Sequence, residues 1–279
     1  PGYRALLFAS GLTVLAFAVD VIAGSPLTPL SLIGPDPGLG VRFYGIGNEL
    51  EAALTPLILF GIGVAVSVLA PDLAPRRVAA VFAAVALPFA FVFASGRFGA
   101  DVGAAITLPA GAAAAVAALG VTRRWLLLIV AAPVAALAGL ALLDLLFGGD
   151  AHLTRSVLDA GGLHDLGNVA ERRLRLSAHS FSQKASSALF WLTLAVIAAA
   201  VYRRKRILDW FEAPALRAGF LGACVAVLVA TLANDSGALL LEVGTLYLVL
   251  LTAFAWTQAR SAGSGHDAGR LREPSHAPA

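Results

Sequence analysis

Apolar runs of membrane-spanning length recur along this chain, and no other feature restricts its fold as tightly. Runs of about 17–25 apolar residues are long enough to cross a bilayer as helices. Eight can be delimited: 5–24, 50–69, 78–94, 104–119, 125–147, 186–202, 218–233 and 238–256. The expected fold class is therefore all-α, a polytopic transmembrane helical bundle of about eight spans. Composition agrees. Of 279 residues, 59% are hydrophobic and 13% charged, whereas a soluble domain carries about a quarter charged. A water-soluble core could not absorb so many apolar blocks. The third, fourth, sixth and seventh runs are short for spans. Alanine-rich stretches such as 112–118 predict helices packed closely through small faces. Pro56, Pro88, Pro109 and Pro133 fall within spans, where neighbouring helices must satisfy the carbonyls they free.

Orientation follows from Lys and Arg in the connections. Arg4, Arg76, Arg77, Arg123, Arg124, Arg203, Arg204, Lys205, Arg206, Arg217, Arg260, Arg270 and Arg272 fall on one side. Only seven basic residues fall on the other, four of them (Arg172, Arg173, Arg175 and Lys184) in one long connection. Excess positive charge marks the cytoplasmic side, so both termini are expected there, in a membrane crossed many times. The expected organisation is a transmembrane helical domain over 1–258 and a disordered cytoplasmic tail over 259–279, rich in Gly, Ser, Pro and charge. The sequence pI of about 9.4 comes from these short basic clusters and not from a binding stripe, so no nucleic-acid partner is expected. Cys224, the single cysteine, lies in an apolar run and reads as a small buried hydrophobe. The chain starts at Pro1 and lacks methionine, so its natural start is expected upstream, with room for a soluble domain. The first run has no small-residue cleavage site and reads as a span.

Unusual polar residues gather on the side opposite the basic clusters. GPDPGLGVRFYGIGNE occupies 34–49, GRFGADVG 96–103, GGDAHLTRS 148–156 and NDSG 234–237. Acids inside the spans lie at the same ends: Asp20, Glu51, Asp144 and Glu242. An intramembrane carboxylate costs several kcal/mol unless paired or hydrated, which makes it a functional candidate; the plainer reading is that each simply reaches interfacial water. In RFYGIGNE, Gly45 and Gly47 permit sharp turns and close approach of a ligand. Arg42 can grip a phosphate or carboxylate with two parallel hydrogen bonds, and Tyr44, Asn48 and Glu49 stand beside it. Alternatively, Asn48 simply caps the second helix. Arg97 is followed by Phe98 as Arg42 is by Phe43, a faint repeat of a two-helix unit, and Asp101 suits either a site role or a helix cap. Asp150, His152 and Arg155 place a candidate acid–base group among charges, or form an exposed loop. Asn234, Asp235 and Ser236 are turn formers held near the bilayer. No two-histidine zinc spacing exists, so carboxylates from Glu49, Asp101 and Asp235 would suit magnesium, manganese or calcium. The long connection 148–185 mixes Leu166, Val169, Leu174, Leu176 and Phe181 with basic residues. That pattern predicts an amphipathic segment on the membrane surface, with a basic cradle for an anionic headgroup or mere snorkelling as its role.

RFYGIGNE, the GADVG run, ERRLRLSAHSF and NDSG, taken together, resemble an uncharacterised family of bacterial polytopic membrane proteins. The resemblance runs from about residue 20 to residue 237, and the octapeptide is its most specific part. Some relatives carry a soluble domain similar to the alkaline-phosphatase superfamily, which implies chemistry in the cell envelope.

The expected function is an integral membrane enzyme, or the membrane half of one, working at the extracytoplasmic face on a phosphate-bearing or lipid-linked envelope substrate. Glu49, Asp101, His152 and Asp235 would supply acid–base chemistry or bind a divalent cation. Arg42, Tyr44, Asn48, Arg97, Arg155, Asn234 and Ser236 would hold the substrate. A transporter or flippase for an anionic or lipid-linked substrate is the alternative, and a non-catalytic assembly subunit a third.

Overall fold

The computed structural model describes residues 2–35, 44–122, 124–146 and 163–270, which form helices and short connections with no strand among them. The helices are α1 (Gly2–Ile22), α2 (Asn48–Leu69), α3 (Pro75–Ala94), α4 (Ala104–Ala118), α5 (Trp125–Leu146), α6 (Leu163–Lys184), α7 (Ala188–Tyr202), α8 (Arg204–Asp209), α9 (Pro214–Ala233) and α10 (Gly237–Arg270). A short 3-10 turn, Thr28–Leu30, follows α1. Both α3 and α9 start a few residues before their apolar runs, at Pro75 and Pro214. Proline presets the helical φ and has no N–H to leave orphaned in the first turn. Helices α2, α3, α4 and α5 continue through Pro56, Pro88, Pro109 and Pro133.

The protein is a helical membrane protein by the length and character of these elements. Among the described residues, five helices are long and apolar enough to cross a bilayer: α1, α2, α3, α9 and the Gly237–Ser261 part of α10. The Leu174–Lys184 part of α6 and the following α7 pass the same test together, but meet at 109°. The shorter apolar helices are α4, with 15 residues, and the Leu127–Leu142 part of α5. Beyond its membrane-length part, α10 continues to Arg270, and 271–279 lie outside the described residues.

Lipid tails are as apolar as leucine, so helices in a bilayer associate by close packing and not by the hydrophobic effect. The centre of this bundle shows it. Helix α9 lies against both α2 and α4, and its small residues face them. A Cβ added to Gly219 would stand 2.7 Å from the Leu59 carbonyl oxygen of α2. One added to Gly222 would stand 2.6 Å from the Gly111 carbonyl oxygen of α4. The same holds for Gly63 of α2 against the Ala215 carbonyl oxygen, at 2.5 Å. Backbones therefore touch across both interfaces. By contrast, α1, α5 and α7 expose Leu12, Leu15, Val130, Val134, Leu189 and Leu192, as outer helices facing lipid should.

One end of the bundle is aromatic. Phe211 stacks on Phe220 at 4.3 Å and meets Phe60 edge-on at 5.7 Å. Tyr3 meets Phe254 at 5.5 Å, which places the start of α1 beside the distal half of α10. At this end Arg260 lies over the Trp256 ring, 4.5 Å from its centroid. The other end carries the polar residues.

Candidate functional site

At the polar end, the start of α2, the start of α4 and the end of α9 meet. Asn48 and Glu51 share one face of α2 because they are three residues apart. Glu51 is 1% exposed. Its carboxyl accepts the Thr107 hydroxyl of α4 at 2.8 Å and the Asn234 side-chain amide at 3.0 Å. That amide also donates to the Asn48 side-chain carbonyl at 3.1 Å. Asn48 in turn donates to Asp235 at 3.4 Å, and Ser236 donates to the same oxygen of Asp235 at 3.3 Å. A chain of side-chain hydrogen bonds thus runs from buried Glu51 out to exposed Asp235.

Asp101 closes the network from beneath. It is 4% exposed, its side chain lies within hydrogen-bonding reach of Glu51, and one of its oxygens accepts the Gly103 N–H at 3.0 Å. Asp101 is not the α4 cap: Gly103 holds that position without a side-chain cap bond, and Asp101 accepts the N–H of Gly103 itself. Gly103 is small for a reason. A Cβ there would stand 2.6 Å from one Glu51 carboxyl oxygen and 3.1 Å from the Asn234 amide nitrogen.

The loops around this network are fixed by backbone contacts. Gly45 has φ of +81°, where only glycine is comfortable, and an added Cβ would run into the Gly99 carbonyl. Next to it, the Ile46 N–H donates to the Gly99 carbonyl at 2.9 Å, and the Gly45 N–H donates to the Ser25 hydroxyl at 2.7 Å. The close approach expected of Gly45 is therefore to another loop's backbone.

Several expectations are corrected. Asn48 does not cap α2; Gly47 occupies that position without a side-chain cap bond, and the Asn48 side chain is committed to Asn234 and Asp235. Among the described residues, no group of three or more His, Cys, Asp or Glu side chains converges to hold a metal. Glu49, Asp101 and Asp235 thus do not form the expected three-carboxylate set. Successive helical residues point about 100° apart, so Glu49 is carried away from the face that Glu51 shares with Asn48. Asp101 is drawn in beneath Glu51, and Asp235 faces out. Of the intramembrane acids, Asp20 and Glu242 are engaged away from Glu51. Asp20 accepts the Leu27 N–H at 3.0 Å, the Thr28 N–H at 2.7 Å and the Thr28 hydroxyl at 2.6 Å, so it fastens the turn after α1. Glu242 is ion-paired to Lys184 at 2.9 Å. The Asp144 side chain lies outside the described residues, as do Arg42, Asp150, His152 and Arg155.

Of the remaining candidates, Tyr44 is 40% exposed, and Arg97 is exposed with its guanidinium 5.8 Å from the Phe98 ring centroid. Neither is hydrogen-bonded to the network by any contact described above. Glu51, Thr107 and Gly103 belong to the network although the sequence did not place them among the site residues. Glu51 had left a signal as an intramembrane acid three residues after Asn48. Thr107, a lone threonine in an alanine-rich run, had left none.

Chemically, the network offers a buried carboxyl pair, two carboxamides, a threonine hydroxyl and an exposed carboxylate. It can hold and relay a proton, or bind a cation or hydrogen-bond donor at its outer rim. No protein-family model, no curated protein and no solved structure matches the chain.

Proposed function

We propose that this chain is an eight-span protein of a bacterial plasma membrane, with both termini cytoplasmic and the polar network at the extracytoplasmic face. In this reading it is a cell-envelope enzyme, or the membrane half of one, acting on a phosphate-bearing or lipid-linked substrate. The positive-inside imbalance supports the orientation. The resemblance carried by RFYGIGNE and NDSG supports the envelope setting.

The observation that carries the proposal is the buried Glu51–Asp101 pair, linked through Asn234 and the half-buried Asn48 to exposed Asp235. Two carboxyl groups sharing a buried site hold a proton between them, which suits general acid–base work. Arg97, with Arg42 and Arg155, would attract the anionic group, and His152 would act as a further acid or base.

The test uses purified protein in nanodiscs with inorganic phosphate and with a short-chain polyprenyl phosphate, each with and without magnesium. A ligand at a hundred times its Kd stabilises the folded state by about 2.7 kcal/mol. The expected result is such a stabilisation with the lipid phosphate, reduced in Arg97→Ala and Asp235→Ala. No stabilisation by any of these ligands, or equal stabilisation in both variants, would sink the proposal.

A second reading, a transporter for an anionic or lipid-linked substrate, draws on the 109° break between α6 and α7 and on the prolines within α2 to α5. It requires the network to become reachable from the cytoplasm in some condition.

A further inference from the structure

The NDSG turn poses a problem of local physics. A helix end leaves up to four backbone carbonyls or N–H groups without intrahelical partners. Here α9 ends at Ala233 and α10 starts at Gly237, so only Asn234, Asp235 and Ser236 separate two such ends. Ser236 serves part of the need, its carbonyl accepting the Leu239 N–H at 2.9 Å and the Leu240 N–H at 3.2 Å. Among the groups still in need of a partner are the Thr231 carbonyl and the Ala238 N–H, both on buried residues.

Two serines of α6 supply the missing partners. The Ser177 hydroxyl donates to the Thr231 carbonyl at 2.8 Å, and the Ser180 hydroxyl accepts the Ala238 N–H at 3.0 Å. Ser180 can do this because its own proton goes to the Ser177 carbonyl, at 2.6 Å. The serines are three residues apart and so lie on one face of α6. Gly237 makes the approach possible, since a Cβ there would collide with the Ser177 hydroxyl and the Thr231 carbonyl. Farther along α6, Lys184 reaches Glu242 of α10 at 2.9 Å. On the other side of the same turn, the Asn234 amide holds Glu51.

We infer that α6 is a clamp on the turn at 234–237: Ser177 and Ser180 cap α9 and α10 from outside, Lys184 fastens α10, and together they position the Asn234 amide on Glu51. The inference holds whether the network catalyses or transports, because it concerns what places Asn234. Ser177, Ser180 and Lys184 are positioning residues. The pairing of the serines in ERRLRLSAHSF with NDSG, far apart in sequence, is then a single structural device.

The experiment compares parent protein with Ser177→Ala/Ser180→Ala and with Lys184→Met, in nanodiscs. Backbone amide exchange is followed over 234–240 and, as an internal control, over the α2–α9 interface around Gly219. The carboxyl infrared band of Glu51, identified by its loss in Glu51→Gln, is followed in parallel. The clamp predicts at least tenfold faster exchange at 234–240 in the serine variant, an unchanged interface around Gly219, and a shifted Glu51 band. Unchanged protection at 234–240 overturns the inference. So does faster exchange spread evenly over the bundle, which would mean general destabilisation. Faster local exchange with an unmoved Glu51 band overturns the positioning of Asn234. Gly237→Ala, which pushes α6 off without altering either serine, should reproduce the serine variant's pattern.

Discussion

Gly103→Ala replaces a hydrogen by a methyl group at the most crowded point of the polar network. The backbone there has φ of −55° and ψ of −42°, which alanine adopts without strain. Removing a glycine's extra freedom in the unfolded chain would by itself stabilise the protein by about 0.4–1 kcal/mol. The side chain reverses that sign. Its Cβ would stand 2.6 and 3.0 Å from the two Glu51 carboxyl oxygens, closer than real Cβ contacts allow. Glu51 must therefore shift, and it is held by the Thr107 hydroxyl and the Asn234 amide. Leaving a buried donor or acceptor unsatisfied costs about 1–3 kcal/mol. If the shift breaks one of those hydrogen bonds, the net loss is about 1–2 kcal/mol; if both, about 2–5 kcal/mol. Equilibrium unfolding in mixed micelles measures this, and a double-mutant cycle isolates the cause. In a Glu51→Ala background the obstructing carboxyl is gone, so Gly103→Ala should be neutral or slightly stabilising. An equal loss in both backgrounds would refute the reasoning, as would a more stable Gly103→Ala in the parent.

Gly219→Ala puts a Cβ against α2 backbone atoms that cannot rotate away, and should destabilise by about 1–3 kcal/mol in the same unfolding assay. Asp20→Ala leaves the Leu27 and Thr28 N–H groups without their acceptor. It should cost about 1–2 kcal/mol, with faster amide exchange confined to the turn after α1. Single cysteines at Asn48 and Asp235, in a Cys224→Ser background, should react with a membrane-impermeant maleimide from the extracytoplasmic side alone. Reaction from the cytoplasmic side under any condition would favour the transporter.

The helices were legible because spanning a bilayer imposes a long apolar run, whatever the neighbours are. Their starts at Pro75 and Pro214 were missed by a few residues because proline serves a first turn without being part of the apolar signal. The gathering of polar motifs near one end was legible too, as Asn48, Asp101 and Asn234 show. Which acid faces inward was not. Glu49 and Glu51 look alike in sequence, and only the rotation of α2 against α4 and α9 separates them. The same is true of Ser177 and Ser180, whose partners lie 54 and 58 residues away. Hydrophobic periodicity says which residues share a face, but not which distant turn that face meets.

Helix α4 has one further consequence. Its 15 residues measure about 22 Å, against a hydrocarbon thickness of about 30 Å. An outer helix with that shortfall would thin the bilayer around it, but α4 is buried along most of its length and meets little lipid. Protein fills the missing depth instead. The loop before α4 satisfies its own backbone, with the Gly99 N–H on the Val92 carbonyl, the Ala100 N–H on the Ser95 carbonyl and the Asp101 N–H on the Phe93 carbonyl. Irregular backbone is tolerated at membrane depth on that condition. The buried Glu51–Asp101 pair lies where this loop and the short helix meet, walled by protein and not by lipid.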